Sequence, residues 1–315
     1  MISVIIVTRN RQEKLLRCIR SLLQNNNVHF EVLIIDQSDD THLSRQILQH
    51  VNHQNIRYFF YPHNNVSQAK NFGIHHAKGS ILAFTDDDCI VTHQWITNVD
   101  RFYISHPWVD GVFGATLPFS PKTHPKENCP SIFTPNSYKE MHVPATHWKY
   151  VGIGNNMSFR SRTIANHGLF KEWLSYGSQG GPSEDGEMIL RLLIQGCTLA
   201  QNPHAVIYHD RWVSGREAFM VQQEYYRANI VCYGYFHFQH FSFARKTLQH
   251  ELRGYLTAQN PYPFKQKRGK FRRLTIAAQY VLRLSIVAES LLMALLYARF
   301  NPVSKSVNSL PRRTS

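Results

Sequence analysis

Three consecutive aspartates, Asp86-Asp87-Asp88, follow the apolar run Ile81-Leu82-Ala83-Phe84. Charge at the end of a buried strand makes sense when a hard cation sits there, because Mn2+ and Mg2+ take oxygen ligands. Such an ion can neutralise a diphosphate. Taken alone, the triplet reads slightly better as a turn, or as the cap of a helix starting near His93. Asp36 closes a second apolar run. There a carboxylate can accept hydrogen bonds from a base or ribose, or equally form an Asx turn with Ser38 or Asp39. Glu184-Asp185 opens a helix carrying Met188, Ile189, Leu192 and Leu193. Acids in a first turn commonly just oppose the helix dipole. The preceding Gly177-Ser178-Gln179-Gly180-Gly181-Pro182 adds a flexible approach that can wrap a ligand. Gly152–Arg160 puts small residues before a strand, which lets backbone approach a substrate. His209 ends the run Pro203–Tyr208, and among 18 histidines only that position singles it out.

The elements that must position these groups are legible in outline. Ser3–Val7, Glu31–Asp36, Ile56–Tyr61 and Ser80–Thr85 read as strands, the first two fully buried. A helix with Leu15, Leu16, Ile19, Leu22 and Leu23 on one face follows the first strand, and Ser67–Ala77 reads as another. Three β-α-β passes predict a right-handed, mostly parallel, doubly wound α/β sheet, with ligands beyond the carboxyl ends of its strands. His93–Ser105 reads as a helix and Val109–Thr116 as a strand. Proline-rich 117–150 reads as a long excursion over the active face. Gly154–Arg160, a helix Glu184–Gln195 and a strand His204–His209 follow. The chain beyond Ser214 is mostly helical, in the stretches Glu224–Phe238, Phe243–Leu256 and Leu274–Ala298.

Composition narrows the class. Hydrophobic residues make up 43% and charged residues 18% of 315, enough for one large domain with an extension. The net charge is +14, of which residues 261–315 carry +10. A basic tail beside a near-neutral domain suggests an anionic surface as partner: membrane headgroups rather than nucleic acid. Carboxylates at strand ends repel a nucleic-acid backbone unless a metal intervenes. The five scattered cysteines, without CxxC or zinc spacing, fit a reduced, cytoplasmic setting. The short apolar start reads as a strand, not a signal peptide. No uncharged apolar stretch reaches the roughly 18 residues of a spanning helix; Arg283 and Glu289 interrupt the nearest one. Lys265, Lys267, Arg268, Lys270, Arg272 and Arg273 before that helix read either as an anchor on anionic lipid, worth about 1 kcal/mol per basic residue, or as a solvated run beside a core helix.

In this order the motifs resemble a family 2 glycosyltransferase of the GT-A fold. Ser3–Asn10 resembles the first strand and nucleotide loop, and Glu31–Ser38 the second strand with its base-contacting aspartate. Ala69–Gly73 resembles the segment before the metal strand, and Phe84–Asp88 the DxD position. Gly154–Arg160 resembles the acceptor-side strand, and Glu184–Met188 with Arg191 the motif of the catalytic base. The resemblance covers about residues 1–235 and leaves 236–315 as a basic helical extension. It implies an inverting transfer from a nucleotide diphospho-sugar, a UDP- or GDP-sugar, to a saccharide or lipid-linked acceptor. It implies Mn2+ or Mg2+ on Asp86, Asp88 and His209. The donor would lie on Thr8, Arg9, Asn10, Asp36, Lys70, Asn71, Asp86 and Asp87. Gly154, Asn155 and Asn156 would face the sugars, with Asp185 as general base and Glu184 beside it. The analogy places the chain in cell-surface polysaccharide or glycolipid assembly, peripheral on the cytoplasmic face of a membrane. Two departures stand out: Lys70 replaces a common arginine, which makes a phosphate contact less bidentate, and Gln37 replaces a small polar residue. Segments 117–150 and beyond about 260 match nothing in the family. A nucleotidyltransferase would show glycines in the loop after the first strand, and Thr8-Arg9-Asn10-Arg11 has none. A glycan- or nucleotide-sugar-binding pseudoenzyme is the other reading of the same motifs.

Overall fold

Side chains of β1 (Ile2–Thr8) alternate between two cores, as the two-residue period of a strand requires. Ile2, Val4 and Ile6 pack with Leu15, Ile19 and Leu22 of α1 (Gln12–Leu23). Ile5 points the other way and joins Leu33 and Ile35 of β2 (Phe30–Asp36). Both faces are therefore covered, which is why the middles of β1 and β2, Val4–Val7 and Val32–Ile35, read as apolar runs. The computed structural model describes residues 1–25, 28–40, 49, 53–144, 147–258 and 270–303, with backbone alone for 270–279.

The first half follows the expected winding: β3 (Ile56–Phe60), α2 (Val66–His76) and β4 (Ile81–Thr85). Then come β5 (Cys89–Val91), α3 (Trp95–Ser105) and β6 (Gly111–Pro118). Among the described residues of 119–155 the regular elements are β7 (Lys139–Met141) and two short 3-10 turns, in keeping with an excursion. Order returns with β8 (Asn156–Arg160), α4 (Ser161–His167), α5 (Glu184–Ile194) and β9 (Leu199–His209). Helices α6 (Gly215–Phe238), α7 (Ser242–Thr257) and α8 (Lys270–Phe300) complete the described chain.

The sheet runs β3-β2-β1-β4-β8-β6-β9-β5, with β7 on β9. Pairing is parallel from β3 through β1 to β4. It turns antiparallel where β8 inserts between β4 and β6, so the sheet is mixed beyond its wound half. β8 follows a long excursion, not a short helical crossover, and nothing forces it parallel. β9 begins five residues before the expected strand, at Leu199. Pro203 breaks its pattern yet is tolerated, because the register against β6 jumps there: Gly114 pairs with Asn202 and Ala115 with Val206.

The three C-terminal helices are built into the main core. Tyr233, Phe236, Leu248 and Met293 belong to the same apolar cluster as Ile5 and Leu33. The outer face of α8 differs, with Val281, Leu284, Leu292 and Leu295 exposed. Counting uninterrupted apolar residues had excluded a spanning segment here. Measured by length and composition, Tyr280–Phe300 is apolar enough to cross a membrane despite its internal charges. The basic run Lys265–Arg273 lies outside the described residues, apart from the helical backbone at 270–273. All five cysteines are free.

One buried ion pair holds α5 in place. Arg191 donates to Glu187 at 2.8 and 3.1 Å and to the carbonyls of Gly168 at 3.1 Å and Leu169 at 2.8 Å. Both side chains are almost fully buried, and each is satisfied. Arg191→Met would strand the Glu187 charge in the core. It should destabilise the chain by about 3–5 kcal/mol, read from the midpoint of urea unfolding; a shift below about 1 kcal/mol would mean the pair is dispensable.

Candidate active site

The aspartate triplet occupies the turn between β4 and β5. Because β5 pairs antiparallel with β9, Cys89 lies opposite His209, and the histidine comes back onto the triplet. Asp88 Oδ1 sits 3.3 Å from His209 Nε2. The approach is close but misaligned, so this buried oxygen has no hydrogen-bond partner. Arg11 Nη1 donates to Asp87 Oδ1 and Asp88 Oδ2, both at 3.1 Å. Thr8 Oγ1 donates to Asp87 Oδ2 at 2.7 Å. Burial, then the Asp88 charge, pushes the Asp87 carboxyl up to about 7. Burial also acts to raise Asp88, but His209 and Arg11 outweigh it and hold Asp88 below its usual range. Burial would lower His209; the Asp88 contact outweighs that and carries it to about 10.

Ligand-capable atoms of Asp86, Asp88, Cys89 and His209 lie within 4.8 Å of one another. Two carboxylates, one of them with an unsatisfied buried oxygen, and an imidazole suit a hard divalent cation. Cys89 suits it less: burial, then Asp86 and Asp88, raises its thiol well above the usual value and keeps it protonated.

A second charged cluster lies across the same cavity, at the N-terminus of α5. Lys70 Nζ donates to Asp185 Oδ1 at 3.0 Å and Glu184 Oε1 at 3.1 Å. It also stands 5.1 Å from the centre of the Phe170 ring. Burial opposes the Lys70 charge, yet Asp185 and Glu184 together raise its pKa. Gly154 explains how Asp185 fits. A Cβ there would stand 1.7 Å from Asp185 Oδ2, so only glycine leaves room. Gly154→Ala should therefore displace that carboxylate and cost about 10²-fold in turnover with nucleotide affinity kept. Equal turnover in the variant would show that Asp185 has slack.

Burial pushes the Glu184 carboxyl up to about 7, against the pull of Lys70 and with the help of Asp185. The folded chain then holds that proton more tightly than the unfolded chain, whose carboxyl titrates near 4.5. This contribution to stability is complete below pH 4.5 and is lost as pH rises through about 7. Glu184→Gln should flatten thermal stability across that window; an unchanged profile would contradict it.

Both clusters line one cavity of about 1850 Å³, together with Thr8, Arg9, Gly154 and Asn155. Several expected contacts sit elsewhere. Asp36 is fully buried and outside the cavity lining: Ser38 N–H donates to its Oδ1 and Tyr58 O–H to its Oδ2, both at 2.8 Å. The Asx turn is thus the role this fold gives Asp36. Asn71 exchanges hydrogen bonds with the Phe170 backbone, both at 3.0 Å. Asn156 donates to the carbonyls of Ala115 and Ala205, both at 2.8 Å, and braces the β6–β9 bulge. Asn155 reaches the cavity wall but accepts from Thr116 at 2.9 Å. Asn10 is outside the cavity lining although its neighbour Arg9 is part of it, and stands in a left-handed turn tied to Asp39 and Ser38.

Other lining residues escaped the sequence. Arg11 escaped although it sits in the loop after β1, where a second arginine was a usable signal. Arg211 follows His209 by two positions and also lines the cavity. Tyr225, Lys246 and Glu251 come from α6 and α7, which nothing in the sequence ties to the cavity.

Comparison with known proteins agrees with this geometry. The family model described as glycosyl transferase family 2 matches residues 3–168. An uncharacterized glycosyltransferase of Rickettsia conorii is 34% identical over 87 residues, 28% of this chain and 14% of that protein. One from Rickettsia bellii is 30% identical over 93 residues, 30% of this chain and again 14% of the relative. The chain thus spans a small part of these relatives. Among solved structures, S. aureus TarS 1–349 in complex with UDP-GlcNAc superposes with a TM-score of 0.63 at 15% identity, over 95% of this chain and 87% of that one. The mannosyltransferase PcManGT from Pyrobaculum calidifontis, in complex with GDP-Man and Mn2+, gives a TM-score of 0.57 at 14% identity, over 96% and 87%. These two likenesses are of fold. With a sequence match over half its length and the mixed sheet of a GT-A enzyme, the chain belongs to glycosyl transferase family 2.

Proposed function

We propose that the chain transfers a sugar from a nucleotide diphospho-sugar to an acceptor hydroxyl, with inversion at the anomeric carbon. The observation that carries this reading is the pairing of two charged clusters in one cavity: Asp86, Asp88 and His209 at one end, Glu184 and Asp185 across from it. Asp86, Asp88 and His209 would hold Mn2+ or Mg2+. When bound, that ion supplies Lewis-acid stabilisation of the departing diphosphate. Arg11, which already bridges Asp87 and Asp88, and Arg211 in the same cavity add fixed positive charge for the diphosphate. Thr8 holds Asp87 in place. A second pocket beside the cavity, lined by Arg9, Gln37, Ser38, Phe60, Pro62 and Asn64, suits a nucleoside. Phe60 and Pro62 offer flat apolar contact, and Ser38 and Gln37 offer polar groups. Asp36 would act on the base by shaping that loop.

Asp185 would take the acceptor's proton as general base, with Lys70 fixing its Oδ1 and Gly154 leaving room for its Oδ2. One base acting directly on the acceptor, with no covalent intermediate, fits a single displacement. The Lys70 contact also favours the second reading, a nucleotide-sugar-binding protein without turnover, because it occupies one oxygen of the base. We keep 1–235 as the catalytic domain and 236–315 as a helical extension, although α6 crosses that boundary and α7 and α8 pack into the same core. We place the extension on an anionic membrane surface through residues 265–298, on the cytoplasmic side, where surface polysaccharide or glycolipid acceptors are assembled. The exposed apolar face of α8 supports that placement.

The test is binding and hydrolysis of a panel of UDP- and GDP-sugars with Mn2+, Mg2+ or EDTA. Metal-dependent binding and slow hydrolysis of one donor are expected. Binding without hydrolysis or transfer to any hydroxyl acceptor selects the second reading, and no binding removes both.

A further inference from the structure

The cavity is larger than its donor. At about 1850 Å³ it exceeds the roughly 300–1,000 Å³ of ordinary small-molecule sites, so a second ligand has room. The wall away from the aspartates comes from α6, α7 and the 147–150 turn. Two of those three elements lie beyond the residues that the family shares.

The charge of that wall is the opposite of the donor end. Its carboxylate, Glu251, is buried and already committed. His147 Nε2 approaches its Oε1 at 3.2 Å, and Asn229 donates to its Oε2 at 3.1 Å. Asn229 in turn accepts from the Trp148 indole at 3.1 Å, which fixes the turn carrying Lys149. Lys149 Nζ then hangs 5.3 Å from the Tyr225 ring and 5.7 Å from the Trp148 ring. Among the described residues, neither Lys149 nor Lys246 has a carboxylate within 4.0 Å. Lys246 and His250 stand one turn apart on α7, so both fall on its cavity side. Both lysines are exposed to the open cavity, and Lys149 has ring faces for company with its nearest counter-charge, Glu251, beyond ion-pair distance.

We propose that this wall is the acceptor subsite and that it takes a saccharide carrying fixed negative charge, seated on Lys149 and Lys246 with a sugar ring against Tyr225. The inference rests on the glycosyltransfer reading and names its acceptor class. Charge-assisted contacts in a partly closed site exceed those on open surface. The same wall, with its one carboxylate already held by His147 and Asn229, offers a neutral sugar no comparable gain.

The experiment is calorimetric titration of the full chain, with Mn2+ and UDP or GDP present, using three trisaccharides of equal length: a terminally phosphorylated trimannose, a trigalacturonate and neutral trimannose. At least one charged probe should bind about tenfold or more tightly than the neutral one, a gap of about 1.4 kcal/mol. Which charged probe leads tells phosphate from carboxylate. Lys149→Gln/Lys246→Gln should abolish that preference and leave UDP or GDP affinity unchanged. Equal binding of all three probes overturns the proposal. So does a charge preference that survives in the double variant, or no binding of any probe. Nucleotide binding is read separately on the same protein; if it is absent, the donor reading fails and the titrations are judged without nucleotide.

Discussion

Asp185→Asn should lower turnover by about 10²–10⁴ while nucleotide affinity stays at the wild-type level. The substitution preserves shape. An amide oxygen can still accept the Lys70 hydrogen bond, now made at 3.0 Å, and the tight fit over Gly154 is unchanged. Only the capacity to take a proton is lost. Glu184 is poorly placed to replace it, since its side chain is buried and Lys70 holds its Oε1. Steady-state kinetics with donor binding measured in parallel separates the effects. Turnover close to wild type would remove Asp185 from the role of base. Loss of both turnover and binding would make it a structural residue.

Asp88→Ala should abolish the response to Mn2+. In the wild-type chain, metal at about 100 times its dissociation constant should stabilise the fold by about 2.7 kcal/mol, visible as a rise in melting temperature. The variant should show no such rise. Its turnover should fall by about 10²–10³, matching the several kcal/mol a Lewis acid supplies. The reason is geometric. Asp88 contributes the buried oxygen left without a hydrogen bond and the contact to His209, so its loss removes one ligand and frees another. A retained metal-dependent melting shift would move the cation off this cluster.

What the sequence disclosed and what it hid divide along physical lines. Strands β1, β2 and β4 were legible because both faces are buried and the central residues Val4–Val7, Val32–Ile35 and Ile81–Phe84 are all apolar. Asp86–Asp88 and Glu184-Asp185 were legible because acids abut apolar runs. Asp36, Asn71 and Asn156 looked equally suited to a ligand, yet each spends its polar atoms on backbone or a neighbouring side chain. Residue type cannot distinguish a strut from a contact. The start of β9 was hidden by Asn202-Pro203, which reads as a turn and is a bulge. Glu251 and Lys246 were hidden most deeply, since only tertiary packing swings α7 over the cavity.

The β5–β9 pairing has a bearing on how the protein is made. Asp86–Asp88 leave the ribosome long before His209, and until β9 arrives the three acids are settled without it, by Arg11 and Thr8 and by the charges of Lys14 and Lys70. Pairings between distant segments form late, because the intervening loop must close first. The nascent chain can thus complete its wound half early, and on the proposed reading the donor end of the cavity is completed only when the closing strand arrives.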